Sequence, residues 1–527
     1  MSHPANTETI LTKEVFESVK PAKKENLKQR AYLNSLSGML DFSFIQLTGF
    51  IINPFIVAGL GTSMYGIWQV IGQMTGYTKM ADTRATQVLK WTLAGKRNVV
   101  EVDELRSDLT TAMVVTAISL PFVLLIGAVI SWYAPVITQA DPKYYDLIRI
   151  TCAILISGLA INKFFDLFEA VLGGMNLGYK RMGFRAGIVV VGGLLKIYII
   201  SQGFGLIGLA LVQVFLSLVT GYVFYRVVKK HVWWFRFGKT NMTKVKSFGK
   251  LSGWYMAFTT LKMVLMNSDK IILGFLIGPL YVAKYALTMF TSTAVQGAVT
   301  NVITGITPGI STLYGEGNYD KVREARKLVL SLAWTLSAAI GCTILMINRS
   351  FVNLWVGPEH YAGNIENLLI LLVTVQVIFF QIDSYMINVT LNMKRKVKLS
   401  AWVGVLSTLL GFLLIREFQI VGLCISLLVG RLIYTFGFPM LLKKQMQDKF
   451  TFFSKGSIRP VLSIIILYLL ATLAGYEINI TNWLTLLLAA VLIFSVAGII
   501  YWFVGINASE RREITLSLSK IKVLKFK

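Results

Sequence analysis

Fourteen separate stretches of mostly apolar residues run through this chain, each near the length of about 20 residues that a helix needs to cross a hydrocarbon core of about 30 Å. They lie at roughly 31–60, 64–90, 110–136, 147–173, 184–202, 205–226, 251–277, 281–309, 328–348, 366–390, 399–415, 419–442, 460–477 and 483–504. Backbone polar groups find no water in a bilayer, so segments of this kind must satisfy their own hydrogen bonds as helices. The expected fold is therefore all-α, a polytopic membrane protein with about 14 transmembrane helices. The second stretch is the least continuous, because Gln69, Gln73, Thr75 and Lys79 interrupt it. Composition agrees: only 15% of residues are charged and mean hydropathy is +0.64, against roughly a quarter charged in soluble domains.

The formal charge of +26 comes from 52 basic and 26 acidic residues. With the N-terminus placed in the cytoplasm, 42 of the 52 bases fall on cytoplasmic segments. Only four, Lys143, Arg149, Arg349 and Arg416, fall on external loops. This bias satisfies the positive-inside rule and places both termini in the cytoplasm of a multi-pass inner-membrane protein. It also removes nucleic acid as the partner that so basic a chain would otherwise suggest. Residues 1–30 are polar and lack the basic, apolar and small-residue order of a signal peptide. Within them Leu11–Val19 reads as a solvated tail or a short surface helix. Three cysteines (Cys152, Cys342, Cys424) in apolar stretches and three scattered histidines (His3, His231, His360) supply no metal-binding pattern. No cofactor is implied beyond a coupling H⁺ or Na⁺.

Self-comparison reveals a repeat. Leu60-Gly61 and Tyr65-Gly66 match Ile277-Gly278 and Val282-Ala283 at an offset of 217. Asp166 in the fourth span matches Asp383 in the tenth at the same offset, and Gly205 to Gly208 resembles Ile420 to Gly422 at 214. Two six-helix lobes follow, pseudo-symmetric about an axis along the membrane normal because six is even. The expected divisions are an N-terminal tail (1–30), an N-lobe (31–230), a basic linker (231–247), a C-lobe (248–445), two extra helices (446–505) and a basic tail (506–527).

Eleven charged residues lie well within spans: Lys163, Lys196, Lys262, Lys270, Lys284 and Arg431, with Asp41, Asp166, Glu169, Asp269 and Asp383. Facing lipid they would cost on the order of 30 kcal/mol together, so they must mostly face a cavity or one another. Lys163, Asp166 and Glu169 share one helix face, which suits an i,i+3 ion pair between Lys163 and Asp166. In the seventh span Lys262 and Lys270 outnumber Asp269, leaving a cation for an anionic ligand. Lys196, Lys284 and Arg431 have no acid on their own span, and snorkelling is the alternative for them. The eighth span carries Lys284, Thr288, Ser292, Gln296, Thr300 and Thr304 at four-residue spacing. Its repeat partner carries Gln69, Gln73 and Lys79. Both are expected to line a polar cleft, with helix-to-helix hydrogen bonding as the competing explanation.

Several motifs resemble the polysaccharide, or lipid-linked oligosaccharide, flippases of the multidrug/oligosaccharidyl-lipid/polysaccharide exporter superfamily. They are Asn34 and Pro54 in the first span, LGTSMYGIW at 60–68, NSDKIILGFLIGPLYVAKYAL at 267–287, TPGISTLYGEGNYDKVREA at 307–325 and FVNLWVG at 351–357. They run through nearly the whole chain. One departure is the second span's KMADTRATQVLK ending, more charged than is usual in that family. The resemblance implies lobes that open alternately to each side and pass an undecaprenyl-pyrophosphate-linked glycan between leaflets, with buried cations meeting the pyrophosphate. The partners it implies are that lipid-linked oligosaccharide, membrane lipids and other polysaccharide assembly proteins.

On this basis Lys196, Lys262, Lys270, Lys284, Arg431, Gln69, Gln73, Thr288, Ser292 and Gln296 are candidate substrate-binding residues. Asp41, Lys163, Asp166, Glu169, Asp269 and Asp383 are candidates for ion coupling or ion pairing. A cation-coupled drug antiporter of the same superfamily would use the acids instead. A membrane glycan polymerase or ligase would need an exposed acid, base or nucleophile, and the short external loops offer no such arrangement.

Overall fold

The computed structural model describes residues 27–80, 82–95, 101–250, 252–253, 256, 268–315, 317–389, 393–445, 455–507, 511–512 and 515. The described residues are helical apart from turns and short connections, with no strand among them. The first lobe contains α1 (Leu27–Leu60), α2 (Thr62–Gly76), α3 (Ala85–Gly95), α4 (Val102–Ile137), α5 (Tyr145–Gly174), α6 (Met182–Ser201) and α7 (Gly205–His231). The second contains α8 (Asp269–Ile277), α9 (Pro279–Thr288), α10 (Phe290–Gly315), α11 (Tyr319–Val356), α12 (Asn364–Val389) and α13 (Met393–Gln445). Two further helices follow, α14 (Lys455–Glu477) and α15 (Trp483–Val504), and both pack on α11.

Among the described residues, ten helices are long and apolar enough to cross a membrane. One of these, α13, joins the eleventh and twelfth expected spans and breaks at Gln419 (φ 52°, ψ −125°). The second expected span is not one helix but α2 and α3, joined by a 3₁₀ turn at Tyr77–Met80 and a non-helical stretch that includes Asp82 and Arg84. The eighth divides into α9 and α10. Most of the seventh span, including Lys262, lies outside the described residues, as do the Leu11–Val19 segment, the side chain of Lys79 and most of the C-terminal tail.

The repeat is written in the backbone. Gly61 (φ 77°, ψ 161°) and Gly278 (φ 94°, ψ 171°) hold the same conformation, one open only to glycine, at the start of α2 and of α9. Gly205 (φ 55°) and Gln419 (φ 52°) correspond in the same way at the offset of 214. Packing repeats as well: α5 lies between α4 and α7, and α12 lies between α11 and α13. Across the boundary α1 touches α10 and α11, while α8 touches α2 and α4. These are the exchanges a two-fold axis between lobes requires.

Among the described residues, the apolar cores that join the lobes lie at one end. At the end bearing the loops at 61, 138–144, 278 and 357–363, a single apolar core joins Val70, Ile71, Ala134 and Cys152 of the first lobe to Leu273, Val282, Tyr285 and Ile420 of the second. A second core there joins Ile52, Tyr65 and Ile200 to Ala283, Leu287 and Trp355. At the end bearing both termini the cores are separate. One belongs to α3, α4, α5 and α7 (Leu89, Leu109, Leu172, Val228), and another to α10 to α13 (Ile310, Val322, Ile387, Tyr434). The described lobes thus close at the loop end and part toward the termini.

Gly66 sets the closest approach, since a Cβ there would stand 1.9 Å from the Pro279 carbonyl oxygen. Overpacking at this contact disfavours closure by roughly 1–3 kcal/mol. Gly66→Val is therefore expected to spring the loop end apart. With cysteines at Thr62 and His360, whose side chains are 3.0 Å apart, cross-linking by a short bifunctional thiol reagent should fall several-fold in Gly66→Val. The native cysteines are buried and do not compete.

Candidate functional site

Where α2 meets α8 and α9, polar side chains cross the lobe boundary. The repeat places these helices face to face, and each carries polar residues on an otherwise apolar surface. Lys270 Nζ donates to Gln69 Oε1 at 2.9 Å. Gln73 Nε2 donates to Asp269 Oδ1 at 2.7 Å, and the Tyr285 hydroxyl donates to Asp269 Oδ2 at 3.1 Å. One helical turn deeper, the Tyr77 and Ser268 hydroxyls are 2.8 Å apart. Ser268 lies ten residues, about 15 Å, below Gly278, so this polar seam reaches to about mid-membrane depth. Nearer the loops, Trp355 Nε1 donates to the Phe50 carbonyl at 2.7 Å and Gln139 Nε2 to the Phe275 carbonyl at 2.6 Å.

Arg431, from the second half of α13, stands beside the seam. It is 8% exposed and within electrostatic reach of Asp269, Tyr285 and Tyr434. Its guanidinium forms no ion pair or hydrogen bond among the described residues, while Asp269 is occupied by Gln73 and Tyr285. A buried guanidinium keeps five donors that need acceptors. An anionic group could supply them in the planar, bidentate manner that arginine favours.

The other candidates fall in several places. Lys196 and Lys284 are partly exposed, and neither forms a hydrogen bond or ion pair among the described residues. Gln296 is also partly exposed. Thr288 and Ser292 are fully buried inside the second lobe, where the Thr288 hydroxyl accepts from the Ala362 amide at 2.9 Å. Thr300 donates to Gln381 at 2.6 Å. Of these three hydroxyls only that of Thr300 bonds across helices, as the competing explanation for the stripe requires, while the buried Ser292 hydroxyl has no hydrogen-bond partner among the described residues.

The expected pair between Lys163 and Asp166 gives way to a different one. Lys163 binds Asp82, at the break between α2 and α3, and both are buried. Arg84, with φ 55°, folds its amide onto the same carboxylate at 3.2 Å. A broken helix lets the backbone bring Asp82 to Lys163, which an unbroken second span would not. Asp166 accepts from Asn162 at 3.4 Å. Asp41 pairs with Arg185 at 3.6 Å, and Glu169 with Arg181 and, at 3.9 Å, with Arg185. In the second lobe Arg326 grips Asp383 with two bonds, of 2.8 and 3.1 Å. Buried Lys396 reaches the Ser384 carbonyl and Asn388.

Arg181, Arg185, Arg326 and Lys396 escape the sequence reading because each lies at or just beyond a span end and counts among the topology bases, and Asp82 escapes it because the second span is read as one continuous helix. The KMADTR sequence was the one available signal. Among the described residues in and beside the spans, charge is nearly matched in the first lobe, where Arg84, Lys163, Arg181, Arg185 and Lys196 stand against Asp41, Asp82, Asp166 and Glu169. The second lobe has Lys270, Lys284, Arg326, Lys396 and Arg431 against Asp269 and Asp383.

No protein-family model matches the sequence, and no curated protein does either. Solved structures do match. An inward-facing multidrug resistance MATE family transporter of the MOP superfamily is 13% identical over 79% of this chain and 96% of that one, with a TM-score of 0.58. The chain shares the fold of that transporter. The lipid II flippase MurJ in its inward closed conformation is 11% identical over 90% of this chain and 98% of that one, with a TM-score of 0.57. The Vibrio cholerae MATE transporter VcmN in its bent form is 15% identical over 80% of this chain and 96% of that one, with a TM-score of 0.54. The outward-facing MATE structure is 15% identical over 80% of this chain and 97% of that one, with a TM-score of 0.52.

Proposed function

We propose that this protein is an alternating-access flippase that carries an undecaprenyl-pyrophosphate-linked oligosaccharide across the bacterial cytoplasmic membrane for cell-surface polysaccharide synthesis. In this reading both termini and the open end of the lobes face the cytoplasm, where such lipids are assembled. The observation that carries it is Arg431, a buried guanidinium without a bonded acceptor among the described residues, in a lobe whose described buried bases exceed its acids. Opening to the outside must separate α2 from α8 and α9. That motion breaks Gln69 from Lys270 and Gln73 from Asp269, and frees the Lys270 ammonium as the outer path forms. Cation and pyrophosphate would thus meet where the gate changes state.

A cation-exporting antiporter needs acids free to exchange a proton or a drug. Here Asp41, Asp82, Glu169 and Asp383 are each paired with a base of their own lobe. The MurJ likeness also spans more of the chain than the MATE likenesses, a difference comparable in size to α14 with α15.

The test is translocation by purified protein in vesicles. A short-chain polyprenyl-pyrophosphate disaccharide is expected to become accessible to an added lectin at a protein-dependent rate, and ethidium efflux is expected to stay at the background of empty vesicles. The opposite pattern rejects the flippase in favour of the drug exporter. Imposed proton and sodium gradients in the same vesicles read the coupling ion.

A further inference from the structure

The connection between the lobes is a strap, not a loose tether. Past α7, the Trp234 ring is buried (1% exposed) and its carbonyl accepts from Arg106 Nε at 3.0 Å. The Gly238 amide donates to Thr110 at 2.9 Å, and the Thr240 and Thr111 hydroxyls are 2.6 Å apart. Lys244 Nζ closes the strap on Asp108 at 2.6 Å and Ser107 at 3.0 Å. Residues 232–244 are thereby fixed along the start of α4.

The opposite side of the strap is apolar and basic. Trp233 (69% exposed), Phe237 (53%) and Met242 (64%) point outward. Around them Arg226, Lys229, Lys230, Arg236, Lys239, Lys246 and Lys250 are exposed, and no acid occurs between residues 226 and 250. The strap leaves the membrane-spanning α7 at His231, so it begins at the level of the lipid headgroups. Aromatic side chains favour that level, and clustered bases are drawn to anionic headgroups. We infer that this face docks onto anionic phospholipid headgroups of the leaflet at the open end of the lobes. Bound there, the strap fixes the rim of the first lobe to the membrane.

The test uses the full-length protein in vesicles, with a fluorophore on Phe237→Cys; the native cysteines are buried. Brominated phosphatidylglycerol is expected to quench the probe more strongly than brominated phosphatidylcholine at equal mole fraction. Adding Arg236→Gln, Lys239→Gln and Lys246→Gln, none of which holds the strap, is expected to erase the difference. At about fivefold per base, the loss of preference is on the order of 100-fold. Equal quenching by both lipids, or a preference that survives neutralisation, overturns the inference. A probe shielded in native membranes but unquenched by either lipid assigns the face to a protein and overturns it as well.

Discussion

Arg431→Glu is expected to reduce lipid-linked oligosaccharide translocation to background while the protein still inserts and purifies. Arg431 is buried beside Asp269, and its donors are unbonded among the described residues. Removing one partner of a buried charge pair costs about 2–5 kcal/mol, or on the order of 30- to 4,000-fold in a rate that depends on the pair. Charge reversal adds repulsion from both the pyrophosphate and Asp269. Arg431→Lys keeps the charge but loses the bidentate fork, so it should retain a measurable fraction of the rate. The readout is initial translocation rate in vesicles at matched protein density. Wild-type transport by Arg431→Glu would remove this residue from the substrate path. Equal loss in Arg431→Lys and Arg431→Glu would indicate shape rather than charge as its contribution.

The second large effect is on stability. Asp383→Ala leaves Arg326 buried without its carboxylate, and breaking such a pair is expected to cost about 3–5 kcal/mol. The pair ties α11 to α12 at the terminal end of the second lobe, beside the apolar cluster of Val322, Phe380 and Ile387. Asp383→Ala should therefore unfold at clearly lower temperature in detergent, measured by size-exclusion chromatography after heating. Replacing both residues, Arg326→Met with Asp383→Leu, removes the two charges together and should recover most of the loss. If the double variant also restores transport, the pair is structural. If it is stable but inactive, Asp383 has a further part in transport.

The polar seam was half legible in the sequence. Gln69, Gln73, Asp269 and Lys270 stand out because polar residues are rare in spans, and the offset of 217 puts their helices in related places. Their bonding was not legible. An excess of Lys over Asp on one helix suggests a free ammonium, whereas the fold gives Lys270 to Gln69 and leaves Arg431, among the described residues, as a buried cation beside the seam without a bonded partner. The Thr288 and Ser292 positions illustrate the converse: four-residue spacing marks a helix face but does not say whether that face meets water or another helix.

The sequence by itself determined the helical class, most of the spans and the repeat. Each of these rests on local quantities: the length of an apolar run, and glycines at positions where the backbone takes positive φ. Only the tertiary structure decided which charges pair and which end of the lobes is closed. Lys163 finds Asp82 across 81 residues, and Arg326 finds Asp383 across 57. Such partners are chosen by helix packing and by breaks like the one at Asp82. An ion pair in a low-dielectric interior depends on separations of a few ångströms, which the pattern of residues along a chain does not encode.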